Sequence, residues 1–342
     1  MNPPWESSLG AILYPLSFPY LLGVLLRNWL YKKGILKAYR LPLPVISVGG
    51  LTCGGSGKTP LVVALSKRLL EWGLKVAVLS RGYKGRLESK GGIVSDGFGV
   101  FLGPRECGDE PYLVAKKVSG VLVAIGKERY KVAQGLLRSF SPEVVLLDDG
   151  FQHLKIKRDI DILAFDVSLD IKRARLLPAG PFREPLSSIK RSDCLVLTYW
   201  EGGKEEEKLY ESLTAYGKPI FRAFPLYKGL RRQGERIPLS DLKGEKVAVL
   251  VGIANPKRFI KTIENLGLEV VWVSLRPDHH FWSPQELKEA LSKARVIVTT
   301  EKDLVKFEGL DLPVYALELD FELEKGFWRF LKEKLSGYNL SP

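Results

Sequence analysis

Val45-Ile-Ser-Val-Gly-Gly-Leu-Thr-Cys-Gly-Gly-Ser-Gly-Lys-Thr-Pro60 decides the fold. An apolar run, Val45 to Val48, has the length and β-branched content of a buried strand. It feeds a loop containing Gly54, Gly55 and Gly57, then Lys58-Thr59, then a helix-like stretch from Pro60. This is the layout of a phosphate-binding loop. Glycines let backbone N–H groups turn inward around a polyphosphate, with Thr52 and Ser56 in the same loop. The Lys58 ammonium reaches the β/γ-phosphates and the Thr59 hydroxyl faces Mg²⁺. The following helix adds the positive end of its dipole. One position departs from the usual G-x-x-x-x-G-K-[ST] pattern, because Thr52 stands where the first glycine is expected.

Outward from this loop, short apolar strands alternate with amphipathic helices. Helix Pro60–Trp72, strand Val76–Ser80, strand Ile93–Ser95, helix Pro111–Val118, strand Gly120–Ile125, helix Val132–Phe140 and strand Val144–Leu147 are followed by strands Ile160–Phe165 and Cys194–Thr198. This rhythm predicts an α/β fold of the phosphate-loop NTPase type: a mostly parallel sheet with helices on both faces. Lys204 to Gly244 turns polar and basic, and the pattern restarts at Lys246 as a smaller α/β unit. The expected organisation is an N-terminal segment (1–30), a phosphate-loop kinase domain (31–225), a linker (226–243) and a C-terminal α/β domain (244–342).

The 342 residues carry a formal charge of +13 and 45% hydrophobic residues, which describes a globular chain with anionic partners. Cys53, Cys107 and Cys194 offer neither a disulfide framework nor a zinc pattern, as expected in a reducing compartment. Leu9 to Leu26 is uncharged, aromatic-rich and interrupted by Pro15 and Pro19, and Arg27, Lys32, Lys33, Lys37 and Arg40 follow it. Either a buried core helix or a membrane-embedded or interfacial anchor fits this apolar helix. Its all-round apolarity and basic flank favour the anchor, with the body on the cytoplasmic side.

The chemistry-bearing residues lie at strand ends and loops. Val144-Val-Leu-Leu-Asp-Asp149 ends a strand in two adjacent carboxylates, which repel one another unless a cation is near. Asp148 and Asp149 are therefore candidate Mg²⁺ ligands, and His153 follows at once. In Gly108-Asp-Glu-Pro111, Asp109 is either a helix cap or a general base for an attacking hydroxyl, and Asp96 competes for the second role. His279, in Pro277-Asp-His-His280, follows a strand at a crevice edge. Pro178-Ala-Gly-Pro-Phe-Arg-Glu-Pro185 is a stiff turn, or a rigid hairpin placing Arg183 and Glu184 over bound nucleotide.

Together these pieces resemble the tetraacyldisaccharide 4'-kinase family of lipid A biosynthesis. The resemblance runs along most of the chain: the apolar N-terminus, the glycine loop with its Thr52, Gly108-Asp-Glu-Pro111, Arg129-Tyr130, Leu147-Asp-Asp-Gly-Phe-Gln-His153, Leu177 to Pro185, Pro277-Asp-His279 and Thr300-Glu-Lys-Asp303. It implies ATP- and Mg²⁺-dependent phosphorylation of a sugar 4'-hydroxyl on a tetraacyl disaccharide 1-phosphate, at the cytoplasmic face of the bacterial inner membrane. It also implies an Asp109–His279 catalytic pair working with Lys58. Arg183 is expected on the nucleotide, Thr59, Asp148, Asp149 and Glu184 on the metal, and Glu110, Arg129 and His153 on the acceptor. The expected partners are the lipid substrate and the membrane surface, with no nucleic acid, and the chain is expected to be a monomer. The alternative is a membrane-associated ATPase switch with a deviant phosphate loop.

Overall fold

The structure is a computed structural model describing residues 9–171, 174–232, 235–307 and 309–338. Its strands are β1 (Val45–Gly49), β2 (Val76–Ser80), β3 (Gly92–Asp96), β4 (Leu122–Ile125), β5 (Val144–Asp148), β6 (Ile160–Asp166), β7 (Cys194–Thr198), β8 (Ile220–Arg232), β9 (Glu235–Ile237), β10 (Lys246–Val251), β11 (Glu269–Leu275), β12 (Val296–Thr300) and β13 (Val314–Leu323). They form one sheet in the order β11-β10-β12-β13-β8-β7-β6-β1-β5-β2-β4-β3, with β9 paired to β8. Pairings are parallel except β3–β4, β8–β13 and β8–β9. The α/β class and mostly parallel sheet read from the sequence are thus present. Strands β1, β2, β4, β5, β6 and β7 are buried along their whole length, as expected of apolar runs covered on both faces.

The helices are α1 (Leu9–Ile12), α2 (Ser17–Lys32), α3 (Lys58–Glu71), α4 (Pro104–Cys107), α5 (Asp109–Lys117), α6 (Arg129–Phe140), α7 (Lys204–Thr214), α8 (Pro256–Asn265), α9 (Pro284–Lys293), α10 (Glu301–Leu304) and α11 (Lys325–Leu335). Helix α11, which periodicity did not announce, folds back onto the first unit. Its Phe327, Leu331 and Leu335 join the same buried cluster as Leu61, Leu65 and Leu69 of α3.

Two expectations need correction. The stretch 226–243, read as a linker, holds the second half of β8 together with β9. Ile220–Ala223 of β8 pair with β7, while Ala223–Arg231 pair antiparallel with β13, so one strand joins both units into a continuous sheet. Its charges looked like linker polarity. Instead they pair across the sheet, Lys228 with Asp320 at 2.6 Å and Arg236 with Glu318 at 2.6 Å.

The N-terminal run is also not one helix. Pro15 falls in a 3-10 turn, Tyr14–Leu16, between α1 and α2, and Pro19 sits in the first turn of α2, where a missing N–H costs nothing. The buried-core reading does not hold, because Ser17 and Val24 are the buried residues of α2. Ile12, Phe18, Leu22, Leu26 and Trp29 are exposed. Among the described residues no helix is long and apolar enough to cross a membrane.

Strand β1 lies between β6 and β5, where the chain's winding changes direction. Ligands of open α/β sheets collect at such a switch point, beyond the carboxyl ends of the strands. The loop after β1 emerges there.

Candidate functional site

That loop is shaped by Gly54, Gly55 and Gly57, with φ of 73°, 70° and 67°, a region that side-chain-bearing residues seldom enter. It is stitched to the hairpin before Arg183: Cys53 N donates to Pro181 O at 2.8 Å and Arg183 N to Leu51 O at 2.7 Å. Lys58 opens α3 and its Nζ lies 3.2 Å from Ser56 Oγ and 3.7 Å from Asp149 Oδ1. Thr59, buried, follows in the first turn of the same helix.

Asp148 and Asp149 end β5 beside this loop but differ in surroundings. Asp149 takes a left-handed backbone (φ 49°) and its carboxylate receives both Arg183 Nη atoms, at 2.6 and 2.7 Å. Burial alone would raise its pKa, but Lys58 and Arg183 outweigh burial and hold it well below the carboxylate range. Asp148 has no such partner. Its Oδ1 is buried without a hydrogen bond, and Ser80 Oγ donates to Oδ2 at a long 3.4 Å. Burial, then repulsion from Glu110 and Asp149, pushes its pKa up to about 7. An uncompensated buried carboxylate beside a phosphate loop and a buried Thr59 fits a cation. Arg183 also donates to Gly50 O at 2.9 Å, as does Gln152 Nε2 at 3.1 Å, a contact that sequence reasoning missed.

Glu184, expected on the metal, is fully buried with its carboxylate turned to α2. It accepts from Arg27 Nη2 at 3.3 Å, Asn28 Nδ2 at 3.1 Å and Arg191 Nη2 at 2.6 Å. These donors fill its acceptor sites, so Glu184 is an anchor for α2. Arg129 is nearly buried and donates Nη1 to Asp149 O at 3.1 Å, supporting the end of β5 from beneath. Burial, followed by Arg129 and Arg158, pushes His153 down to about 3, which makes it a neutral imidazole.

Asp109 is the first residue of α5 and does not cap it, since Gly108 holds the cap position with no side-chain bond. Its Oδ2 lies 3.0 Å from His279 Nδ1 and 3.2 Å from Lys306 Nζ. Burial would raise its pKa, but the hydrogen bond to His279 and the charge of Lys306 prevail and lower it. His279 (φ 69°) comes from the loop after β11 of the second unit, with Nε2 3.4 Å from Asp278 Oδ2. Lys302 of α10 joins Glu110 and Asp278, each at 2.9 Å. Asp96 lies elsewhere: its Oδ1 accepts Phe98 N and Gly99 N at 2.9 and 2.8 Å, closing a turn at the far edge of the sheet. Of the rival bases, Asp109 is the one that adjoins the crevice, buried beside Glu110 and His279 while Glu110 and Asp278 line it.

A cavity runs between the phosphate loop and the second unit, bordered by Gly55, Lys58, Tyr199, Arg258, Asp278 and Lys302. Arg258 of α8 pairs with Asp166 Oδ2 at 2.5 Å and lies 3.5 Å from the Tyr199 ring centre. Residues from both units therefore converge on it. Lys302, Lys306 and Arg258 were missed in the sequence. For the two lysines a signal existed, a four-residue spacing just past a strand end.

Comparison with known proteins finds relatives that cover most of the chain. The family model described as tetraacyldisaccharide-1-P 4'-kinase matches residues 9–336. A tetraacyldisaccharide 4'-kinase of Desulfatibacillum aliphaticivorans is 38% identical over 95% of this chain and 93% of its own. One from Aquifex aeolicus is 41% identical over 93% and 96%. The crystal structure of Aquifex aeolicus LpxK in complex with ATP superposes with a TM-score of 0.78 at 39% identity, covering 96% of this chain and 99% of that one.

Proposed function

Because the chain belongs to the tetraacyldisaccharide-1-P 4'-kinase family, we propose that the crevice between its two units carries out this family's phosphoryl transfer. The protein is an ATP-dependent kinase acting on the 4'-hydroxyl of a tetraacyl disaccharide 1-phosphate, the lipid A precursor. The glycine loop wraps the triphosphate, and the N-terminus of α3 with Lys58 faces its negative charge. Thr59 and Asp148 would hold Mg²⁺, which supplies charge neutralisation at the β- and γ-phosphate oxygens. Asp149 keeps Lys58 and Arg183 aimed at the same phosphates.

The observation that carries the reading is the Asp109–His279 contact of 3.0 Å at the edge of this crevice. A sugar hydroxyl is a poor nucleophile at neutral pH, so a carboxylate held against an imidazole takes its proton as the phosphoryl bond forms. A switch ATPase needs no such pair for an acceptor. Glu110, which follows Asp109, and His153, which follows Asp148–Asp149 in the chain, are assigned to the acceptor side.

The membrane assignment rests on α1 and α2. Ile12, Phe18, Leu22, Leu26 and Trp29 form an exposed apolar surface flanked by Arg27, Lys32 and Lys33, which suits an anionic lipid face such as the cytoplasmic leaflet of the inner membrane. Helix α2 reaches the site directly, with Tyr20 Oη donating to Arg183 O at 3.0 Å. The test is label transfer from γ-labelled ATP to the tetraacyl disaccharide 1-phosphate. Asp109→Ala and His279→Ala should each lower kcat about 10²–10⁴-fold with KM for ATP little changed, and together far less than the product of the two. Losses that simply multiply would refute the pair.

A further inference from the structure

We infer that Lys306 is a positioning residue for phosphoryl transfer, a buried ammonium that fixes the carboxylate of Asp109 in the orientation and charge state the reaction needs. The inference rests on the reading of Asp109 as the base. Lys306 belongs to the 3-10 turn Val305–Phe307 that continues α10, and its side chain is fully buried. Its Nζ lies 3.2 Å from Asp109 Oδ2 and 2.7 Å from Asp303 Oδ1.

Asp303 is fastened independently of Asp109. Its Oδ2 accepts Gly252 N at 2.8 Å and contacts Thr300 Oγ1 at 3.2 Å, while its N–H is capped by the same hydroxyl at 3.1 Å. One end of the Lys306 ion pair is thus anchored in the second unit, and the other end is Asp109 of the first. A desolvated ammonium is stable only with such partners. In return it gives Asp109 a fixed cation on the oxygen that His279 Nδ1 also contacts, so the second carboxylate oxygen is the one left for an acceptor hydroxyl.

The remaining charges near Asp109 do not substitute for Lys306. Lys302, one helical turn earlier, is committed to Glu110 and Asp278. Lys84, from the loop after β2, donates to Asp278 O at 3.3 Å. Glu110, Asp278 and the Cys107 thiol, if ionised, would each oppose a second negative charge. Among the described residues Lys306 is the lysine in direct contact with Asp109. A cation at this distance favours the carboxylate over the acid.

The test is Lys306→Met, which keeps the length and removes the charge, assayed beside Asp109→Asn and the double variant. ATP affinity serves as the folding control. The expected result for K306M is near-normal ATP binding and a kcat lowered about tenfold or more. The acid limb of its kcat–pH profile should move to higher pH, because Asp109 loses the cation that favours its ionised form. D109N/K306M should be no slower than D109N, since Lys306 has nothing to act through once Asp109 is gone. An acid limb that stays in the wild-type place, or a double variant much slower than D109N, would overturn the inference. Loss of ATP binding in both K306M and D109N/K306M would also overturn it, making Lys306 a structural ion pair. If instead D109N itself transfers phosphate at the wild-type rate, it is the base reading that fails.

Discussion

Glu184→Gln separates two roles that the sequence left entangled, metal ligand and helix anchor. The carboxylate is fully buried, with donors from Arg27, Asn28 and Arg191. Gln keeps the shape but removes the charge and points an N–H₂ at guanidinium groups, which only donate. Breaking a buried ion pair costs about 3–5 kcal/mol when both ends are desolvated. Here the arginine ends rehydrate in part, with side-chain exposures of 38% and 28%, so about 2 kcal/mol is the better figure. Few contacts hold α2 otherwise: Ser17 Oγ to Leu176 O at 2.9 Å, Tyr20 Oη to Arg183 O, and the buried Val24. A loss of about 2 kcal/mol raises the detached population of α2 roughly 30-fold. Hydrogen exchange should show this as faster exchange over residues 20–32, with protection of β1 and β5 unchanged. The Mg²⁺ concentration giving half-maximal transfer should stay at the wild-type value, while use of vesicle-embedded lipid substrate falls. If that Mg²⁺ concentration rises and α2 exchanges as before, Glu184 is a metal ligand and the anchor argument is wrong.

The other predictions follow from single geometries. Asp148→Asn should raise the Mg²⁺ required for half-activity by at least about tenfold, because it removes the uncompensated charge that fits a cation; an unchanged Mg²⁺ titration would count against the assignment. Gly55→Ala should weaken ATP binding in calorimetry, since a Cβ there comes within 2.8 Å of Ala254 Cβ and φ is 70°. Adding Ala254→Gly should recover only the part due to the collision. Glu286 tests pH dependence: it accepts Ser283 N at 2.8 Å and Arg276 Nε at 2.6 Å and faces His280 at 3.2 Å. Burial opposes its ionisation, but the Ser283 N–H bond and the Arg276 and His280 contacts prevail and lower its pKa to about 2. A depressed carboxylate pKa contributes stability that is present above about pH 4.5 and lost as pH falls toward 2. Glu286→Gln should therefore cost about 1–2 kcal/mol in urea unfolding at pH 7 and much less near pH 3.

What the sequence made legible was local chemistry with a fixed spacing. The strands β1, β2, β5, β6 and β7 are short β-branched runs, and the phosphate loop declares itself through glycines placed before Lys58-Thr59. Asp109 and His279 could be named as candidates because each sits at a turn beside a helix or strand end, while their pairing came only from the family resemblance. Pairing across the chain was not legible. Lys228 and Arg236 read as linker polarity because their partners, Asp320 and Glu318, lie 92 and 82 residues on. Glu184 read as a ligand because its three donors belong to α2 and to Arg191, and no local pattern announces them. The lysines at 302 and 306 drew no reading of their own, yet both side chains are turned inward to the carboxylates of α5.

Two of these charges, Lys302 and Lys306, join the two units by reaching Glu110 and Asp109 of α5, and further ion pairs do the same. Lys117 of α5 pairs with Glu301 and, at 3.3 Å, with Asp320, which also takes Lys67 of α3 at 2.8 Å. The helix that begins at the phosphate loop is therefore tied to β13, and the helix that begins at Asp109 to both β13 and α10. If the second unit were merely a lid hinged on a flexible linker, its registry over the phosphates would be loose. Continuous pairing through β8 makes it an extension of the same sheet instead. The loops carrying His279 and Lys306 consequently meet Asp109 with the precision of strand register, and a displacement of about 1 Å there is enough to lose the catalytic contact. The charged part of this contact has a second consequence. The partly exposed ion pairs there, Lys302 with Asp278 and Lys67 with Asp320, weaken as salt rises, while the apolar packing of α11 on α3 does not. High salt should then slow transfer more than it weakens ATP binding to the phosphate loop, and an equal effect on both would argue against an ionic hold on the loops that meet Asp109.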